Sequence, residues 1–371
     1  MTDATWHDQP GATPLEYVPP DYYPAGSAAW FEIPDGRDAG KRLFVRDSVH
    51  GGDADGEPTA DSDASPEHTV VFVHGNPENS YTWRGAIDHL DARADEPVRV
   101  VAMDHVGFGL SDPASYEMVC MDHARNLRQL IAAMDLRDVT LVIHDWGGPI
   151  GVGAFLEHPD RVANLVVTNS TVFPIPDDGY TYPGTYPTRI LPWSRMPDVV
   201  PDAFWGDLAS YAVFRSPCGP VRLLGGFAGH TALQQLGWVP DRDPLARRVF
   251  AEQFRHPVNA RSSKRFVRQT RSWAEGNTYE EPDLGPRDTA PFYEGMQSDL
   301  PAQWGPDGRE IGVRAVVGRW DPCGKASTVA RWREALPQLG RHVTAFDDVG
   351  HFVEEEQPGA VAAAIRDVAG I

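Results

Sequence analysis

A chain of 371 residues, 41% hydrophobic and 10% aromatic, is long enough to bury a large core and too apolar to be disordered except locally. Its formal net charge of −20, from 53 acidic against 33 basic residues, argues against a sequence-independent grip on nucleic acid or on an anionic membrane, since both need a positive face. Cys120, Cys218 and Cys323 are too scattered for a disulfide framework, and no run approaches the ~18 apolar residues of a membrane span.

The start, MTDATWHDQPG, has neither the basic nor the apolar region of a secretory signal, so a reduced, cytoplasmic protein is expected. Lysine occurs only at positions 41, 264 and 325; an acidic, lysine-poor surface fits a high-salt interior and a genomic composition bias equally well.

In chain order, residues 1–28 are polar and rich in Pro and Tyr, and read as an arm over the domain. Trp30-Phe-Glu-Ile33 and Arg42-Leu-Phe-Val45 read as strands joined by a turn at Pro34-Asp-Gly36. The segment at about 50–67 holds no apolar side chain larger than Ala or Pro and reads as a flexible acidic loop. Short, nearly continuous apolar runs follow at residues 70–73, 98–103, 141–143 and 165–167, alternating with helical patterns at 122–134 and 149–157. Such runs fit parallel strands buried on both faces, and the alternation predicts an α/β fold with a mostly parallel central sheet flanked by helices.

Residues 172–305 break that rhythm with many Pro, Trp and Tyr residues and helical stretches such as 245–254, and read as a helical cap inserted into the sheet domain. Strand and helix patterns resume at 313–317, 327–336, 342–346 and 358–368. The domain layout is therefore an arm (1–28), a core (29–171), a cap (172–305) and the rest of the core (306–371).

Ligands bind at the carboxyl edge of parallel strands, and four of the loops there carry polar residues: His74-Gly-Asn-Pro77, His144-Asp-Trp146, Arg319-Trp-Asp321 and Gly350-His351. Asp145 ends a predicted strand and precedes Gly147-Gly148 and a helix. A tight strand-to-helix turn would display it where the helix dipole favours a carboxylate, although an Asp there is also a good helix cap. Of 13 histidines, only His351 follows the last strand, the place of the catalytic base in the order nucleophile, acid, histidine. The acid after strand 165–167 is missing, because Asn169 cannot ionise; after strand 313–317 it is Asp321, with Asp347 and Asp348 as alternatives.

A carboxylate nucleophile is charged at neutral pH and can displace a leaving group from saturated carbon, giving an ester whose carbonyl water then attacks with His351 as base. Asn76 and Trp146 bring neutral N–H donors suited to a departing halide, and their backbone N–H groups would form an oxyanion hole.

HGNPENSYTWR (74–84), MDHVGFGLSD (103–112), HDWGG (144–148) and GHF (350–352), in this order, resemble the haloalkane dehalogenases of the α/β-hydrolase superfamily. The resemblance runs from about residue 30 to the end and implies Asp145 as nucleophile, His351 as base, and Asn76 with Trp146 as the halide-stabilising pair. Asn after His-Gly, together with the acid at Asp321, is similar to the family's third branch. It implies a small hydrophobic halogenated substrate, water and halide as partners, and no cofactor; a metal is not expected, because no His-x-x-x-His or Cys-x-x-Cys pair occurs. The rival on the same scaffold is an epoxide hydrolase, which needs cap tyrosines such as Tyr180, Tyr182, Tyr186 or Tyr211. A non-catalytic ligand-binding protein and other chemistry on this fold are the remaining alternatives. Phe173, Trp193, Trp205, Phe214, Phe227 and Trp238 are the candidate pocket aromatics.

Overall fold

The computed structural model describes residues 4–51, 66–94, 96–178, 186–236, 245–281 and 284–371. Most of the acidic loop, together with Tyr180, Tyr182 and Trp238, lies outside the described residues.

The architecture follows from alternation along each strand. β4 (His68–Val73), β5 (Val98–Met103), β6 (Val139–His144), β7 (Val162–Thr168) and β10 (Gly312–Gly318) bury both faces. Val71, Val73, Leu141, Ile143, Leu165 and Val167 enter one core, while Val70, Phe72, Val142, Val166 and Val316 enter the other. That period of two places a helical layer on each side. α1 (Arg84–Asp91) and the C-terminal helix Pro358–Ala369 cover one face through Ile87, Leu90, Val361 and Ile365. α2 (Cys120–Ala133) and α3 (Gly147–Phe155) cover the other through Leu127, Leu130, Ile150 and Phe155.

With β1 (Trp6–His7), β2 (Ala28–Glu32), β3 (Arg42–His50) and β11 (Val343–Phe346), the sheet order is β1-β2-β3-β5-β4-β6-β7-β10-β11. Pairing is parallel from β5 to β11 and antiparallel among β1, β2, β3 and β5. β3 runs five residues beyond the stretch its apolar pattern marks. Asp47 stays in the ladder because its carboxylate accepts from Nε and Nη2 of Arg99 on β5, at 2.9 and 2.7 Å. Trp6–His7 adds a strand by pairing Trp6 with Phe31, a short contact that apolar periodicity does not reveal.

Between β7 and β10 the chain is mainly helical: Met196–Val199, Asp202–Arg215, Pro220–Gln235, Leu245–Glu252 and Pro257–Gln269. A small antiparallel hairpin, β8 (Thr278–Glu281) with β9 (Gly285–Asp288), adds strand structure to this stretch, and the helix Ala290–Trp304 packs on α3. Among the described residues no helix is long and apolar enough to cross a membrane.

Candidate active site

β6 delivers Asp145 to the carboxyl edge of the sheet in a left-handed backbone conformation, with φ of 46°. A non-glycine residue there costs about 1–2 kcal/mol, so its surroundings must hold it. The Asp145 N–H donates to the Asn169 carbonyl at 3.3 Å, and its own carbonyl accepts from Ser170 Oγ at 2.6 Å and Gly148 N at 3.1 Å. The turn also needs two bare backbones beside it. A Cβ on Gly75 would stand 2.6 Å from both Cβ and Oδ2 of Asp145, and one on Gly147 would strike the Val73 carbonyl.

The Asp145 carboxyl is buried, and Oδ2 accepts the backbone N–H of Asn76 at 2.8 Å, with the Trp146 N–H also directed at this carboxylate. Burial raises its pKa; His351, His144 and the two backbone donors work against that rise.

Asp321 follows β10 and lies buried at the start of a 3₁₀ turn, where Oδ1 accepts the Cys323 N–H at 2.7 Å. Its Oδ2 accepts the Nδ1–H of His351 at 2.7 Å, and Nε2 of His351 faces Asp145 Oδ1 at 3.8 Å. Burial alone would lower the His351 pKa. The charge of Asp321, its hydrogen bond, and the charge of Asp145 outweigh it and push the imidazole up to about 10. Residues from three separate strand ends thus meet in one line: carboxylate, imidazole, carboxylate.

A cleft opens above this line. Its floor includes Asn76, Asp145, Trp146 and His351, and its walls include Trp193, Val213, Val267 and Trp273. The Trp146 indole is sandwiched, stacked on Trp273 at 3.8 Å between ring centroids and packed on Phe266 at 5.3 Å. The Trp273 N–H is used up on the Thr171 carbonyl. The Trp146 indole N–H and the Asn76 side-chain amide, by contrast, donate to no acceptor among the described residues, and both side chains line the cleft. Two neutral donors therefore stand free beside a buried carboxylate.

Of the aromatics singled out from sequence, Trp193 lines the cleft. Trp205 is packed in the helical stretch with its N–H on Ser263, and Phe214 packs on Phe250 and Phe352. Phe173 packs on Trp332, and Phe227 on Tyr211. Among the described residues lining the cleft there is no tyrosine: the Tyr186 hydroxyl is engaged with Ser216 and Cys218, while the Tyr211 ring packs on Phe227 and His230.

Sequence reasoning missed four residues around the site. Asn169, read only as an acid that is missing, is a clamp: Nδ2 donates to the carbonyls of Gly350 (2.9 Å) and His351 (2.8 Å), and Oδ1 accepts the Gly318 N–H at 2.9 Å. Glu78, His144 and Glu354 form a fully buried trio beneath His351. The signal for them was an ionisable residue inside each of two quoted motifs and in the helix just after His351, at positions that burial alone turns from surface charges into neighbours.

The sequence matches the model of the alpha/beta hydrolase fold over residues 68–358, and the chain belongs to that family. It is 29% identical over 336 residues to a cis-3-alkyl-4-alkyloxetan-2-one decarboxylase of Xanthomonas campestris pv. campestris, covering 88% of this chain and 94% of that one. It is 34% identical over 176 residues to a haloalkane dehalogenase of Mycolicibacterium smegmatis, covering 46% of this chain and 47% of that one. Among solved structures, the tetrameric haloalkane dehalogenase of Paraglaciecola agarilytica NO2 superposes with a TM-score of 0.61 at 18% identity, over 97% of this chain and 96% of that one.

Proposed function

We propose that this protein is a haloalkane dehalogenase, hydrolysing a carbon–halogen bond through an ester of Asp145. The observation that carries the reading is the pair of unclaimed donors, Asn76 amide and Trp146 indole, facing the cleft beside the Asp145 carboxylate. A carboxylate oxygen forms a bond to the halogen-bearing carbon, and the halide leaves with the electron pair of the broken bond. The two neutral donors receive it in a site walled by indoles and aliphatic side chains, where a hydrogen bond to an anion is worth more than in water.

In the second step water adds to the ester carbonyl and gives a proton to Nε2 of His351. The backbone N–H groups of Asn76 and Trp146, already on Asp145, hold the oxygen that becomes negative. Collapse returns the alkoxide, which takes a proton from His351 and leaves as the alcohol. The esterification of Asp145 removes one of the charges that hold His351 protonated, so the imidazole becomes a base at the step that needs one.

The near-full-length likeness to an oxetanone decarboxylase supports a second reading. Asp145 would attack the saturated ring carbon bearing oxygen and break that C–O bond, freeing the ring carboxylate. Loss of CO2 would then form the alkene and expel Asp145. This is the same displacement with a carboxylate as leaving group and no water consumed. An epoxide hydrolase is less well supported, for want of a tyrosine among the described lining residues.

Incubation with 1-bromobutane, a cis-3,4-dialkyloxetan-2-one and styrene oxide, followed by assays for bromide, alkene and diol, separates the three. The account expects bromide release that is lost in Asp145→Asn. Alkene formation without bromide would move the assignment to the second reading.

A further inference from the structure

Beneath His351, three ionisable side chains from different elements meet with no access to solvent: Glu78 from the loop after β4, His144 at the end of β6, and Glu354 from the short helix after His351. Hydrogen-bond accounting fixes where their protons are. Nε2 of His144 lies 3.0 Å from the His351 carbonyl, which can only accept, so Nε2 carries hydrogen. Burial, the strongest influence on His144, lowers its pKa and keeps the ring neutral, so Nδ1 is an acceptor. Its partner at 2.6 Å is Oε1 of Glu78, which must then donate, while the same oxygen accepts the Gly75 N–H at 2.6 Å.

Glu354 is anchored at Oε1 by the Thr82 hydroxyl at 2.9 Å. That leaves Oε2 of Glu78 and Oε2 of Glu354 buried without a hydrogen-bond partner among the described residues, with Glu354 Oε2 also 3.4 Å from Nε2 of His144, whose hydrogen goes to the His351 carbonyl. With Glu78 already protonated at Oε1, an ionised Glu354 would face the lone pairs of Glu78 Oε2; a second proton, on Glu354, lets its Oε2 donate to that oxygen and satisfies both.

We propose that Glu78 and Glu354 are positioning residues that keep two protons between themselves and His144, and that this neutral state of the trio holds His351 ready to activate water. The proposal rests on the reading of His351 as base for an Asp145 ester. The link is mechanical and electrostatic. His144 donates to the His351 backbone, its ring packs on the His351 ring at 4.8 Å between centroids, and the trio faces Asp145, His351 and, through His144, His74. Loss of a proton from the trio would place a new negative charge beside Asp145 and His351. That charge opposes the arrival of halide and strengthens the hold of His351 on its proton, so turnover should fall as the pH rises. Burial raises Glu78 to about 8, within reach of such a titration.

At Glu354 glutamine copies both the oxygen that accepts from Thr82 and the donor facing Glu78, so Gln is compared with Ala there, on the full chain; at Glu78 one oxygen must both donate to His144 and accept from Gly75, which neither half of an amide can do. For 1-bromobutane, Glu354→Gln should keep kcat near pH 7 within roughly threefold, whereas Glu354→Ala should slow ester hydrolysis at least roughly tenfold and accumulate alkyl-enzyme; Glu78→Gln, slower throughout, should lose the decline above about pH 8. Glu354→Gln as damaged as Glu354→Ala, or an unchanged alkaline decline in Glu78→Gln, would overturn the proposal. Histidine 15N spectra test it without substrate. A neutral Nε2–H tautomer of His144 at neutral pH is expected, and an imidazolium there, or a stoichiometric divalent metal in the purified protein, would sink it. Absence of bromide release by the wild type would instead remove the dehalogenase reading and leave the spectra to decide the protonation of the trio.

Discussion

The Nδ1–H of His351 donates to Oδ2 of Asp321 at 2.7 Å, and this single bond turns the other ring nitrogen toward Asp145. Asp321→Asn should therefore leave the first displacement largely intact and stall the second, because the imidazole loses both its orientation and the charge that stabilises it as imidazolium. A loss of roughly 10³–10⁴-fold in kcat is expected by analogy with other histidine–aspartate pairs. Rapid-quench bromide measurement should show a burst of about one equivalent per enzyme; a uniform loss of both steps would remove Asp321 from this role.

Asn76→Ala removes one of the two free donors while keeping the backbone N–H that Asp145 accepts. A loss of about 100-fold in kcat for bromide release, near 3 kcal/mol, is expected from the removal of one such donor. Single-turnover kinetics would place this loss in the displacement step. An equal loss in hydrolysis of the preformed ester would point instead to a collapsed loop.

Asn169 ties the loops carrying His351 and Gly318 to the turn that carries Asp145. Asn169→Ala strips the Gly350 carbonyl and the Gly318 N–H of this partner, while the His351 carbonyl keeps His144, and should cost about 1–3 kcal/mol of stability. Chemical denaturation measures that cost, and kcat should fall more than KM rises. This residue shows where sequence reading runs out. The α/β alternation, the edge loops and the order Asp145, Asp321, His351 were legible because apolar period and chain order are one-dimensional signals. Asn169 was legible only as a missing acid, since its role exists in the distances between loops 149 residues apart in sequence. Trp273 was likewise one tryptophan among 11 until the helical stretch set it against Trp146.

Stability should fall on both sides of neutrality, for different reasons. On the acid side, burial holds His74, His105 and His123 neutral, with His105 lowered to about 4. Their pKa values are depressed in the folded state, so the unfolded chain takes up protons first. Stability present above 6.5 is lost as the pH falls toward 4. On the alkaline side, His351 is raised from 6.5 to about 10, and the stability it contributes below 6.5 is lost as the pH rises through about 10.

Both ring nitrogens of His123 are buried without partners, and the ring stacks on Phe266. His123→Phe should therefore stabilise by ~1 kcal/mol and shift the acid transition downward, as read by urea midpoints across the pH range. A destabilised variant would mean that these nitrogens are satisfied in solution.

The central claim is an ester at Asp145, and isotope transfer tests it most directly. A single turnover of 1-bromobutane in H2 18O, with enzyme in excess, should place the label in the Asp145 carboxylate and leave the butanol oxygen unlabelled. Label in the butanol, with none in the peptide carrying Asp145, would mean that water attacks carbon directly, and the account would fail.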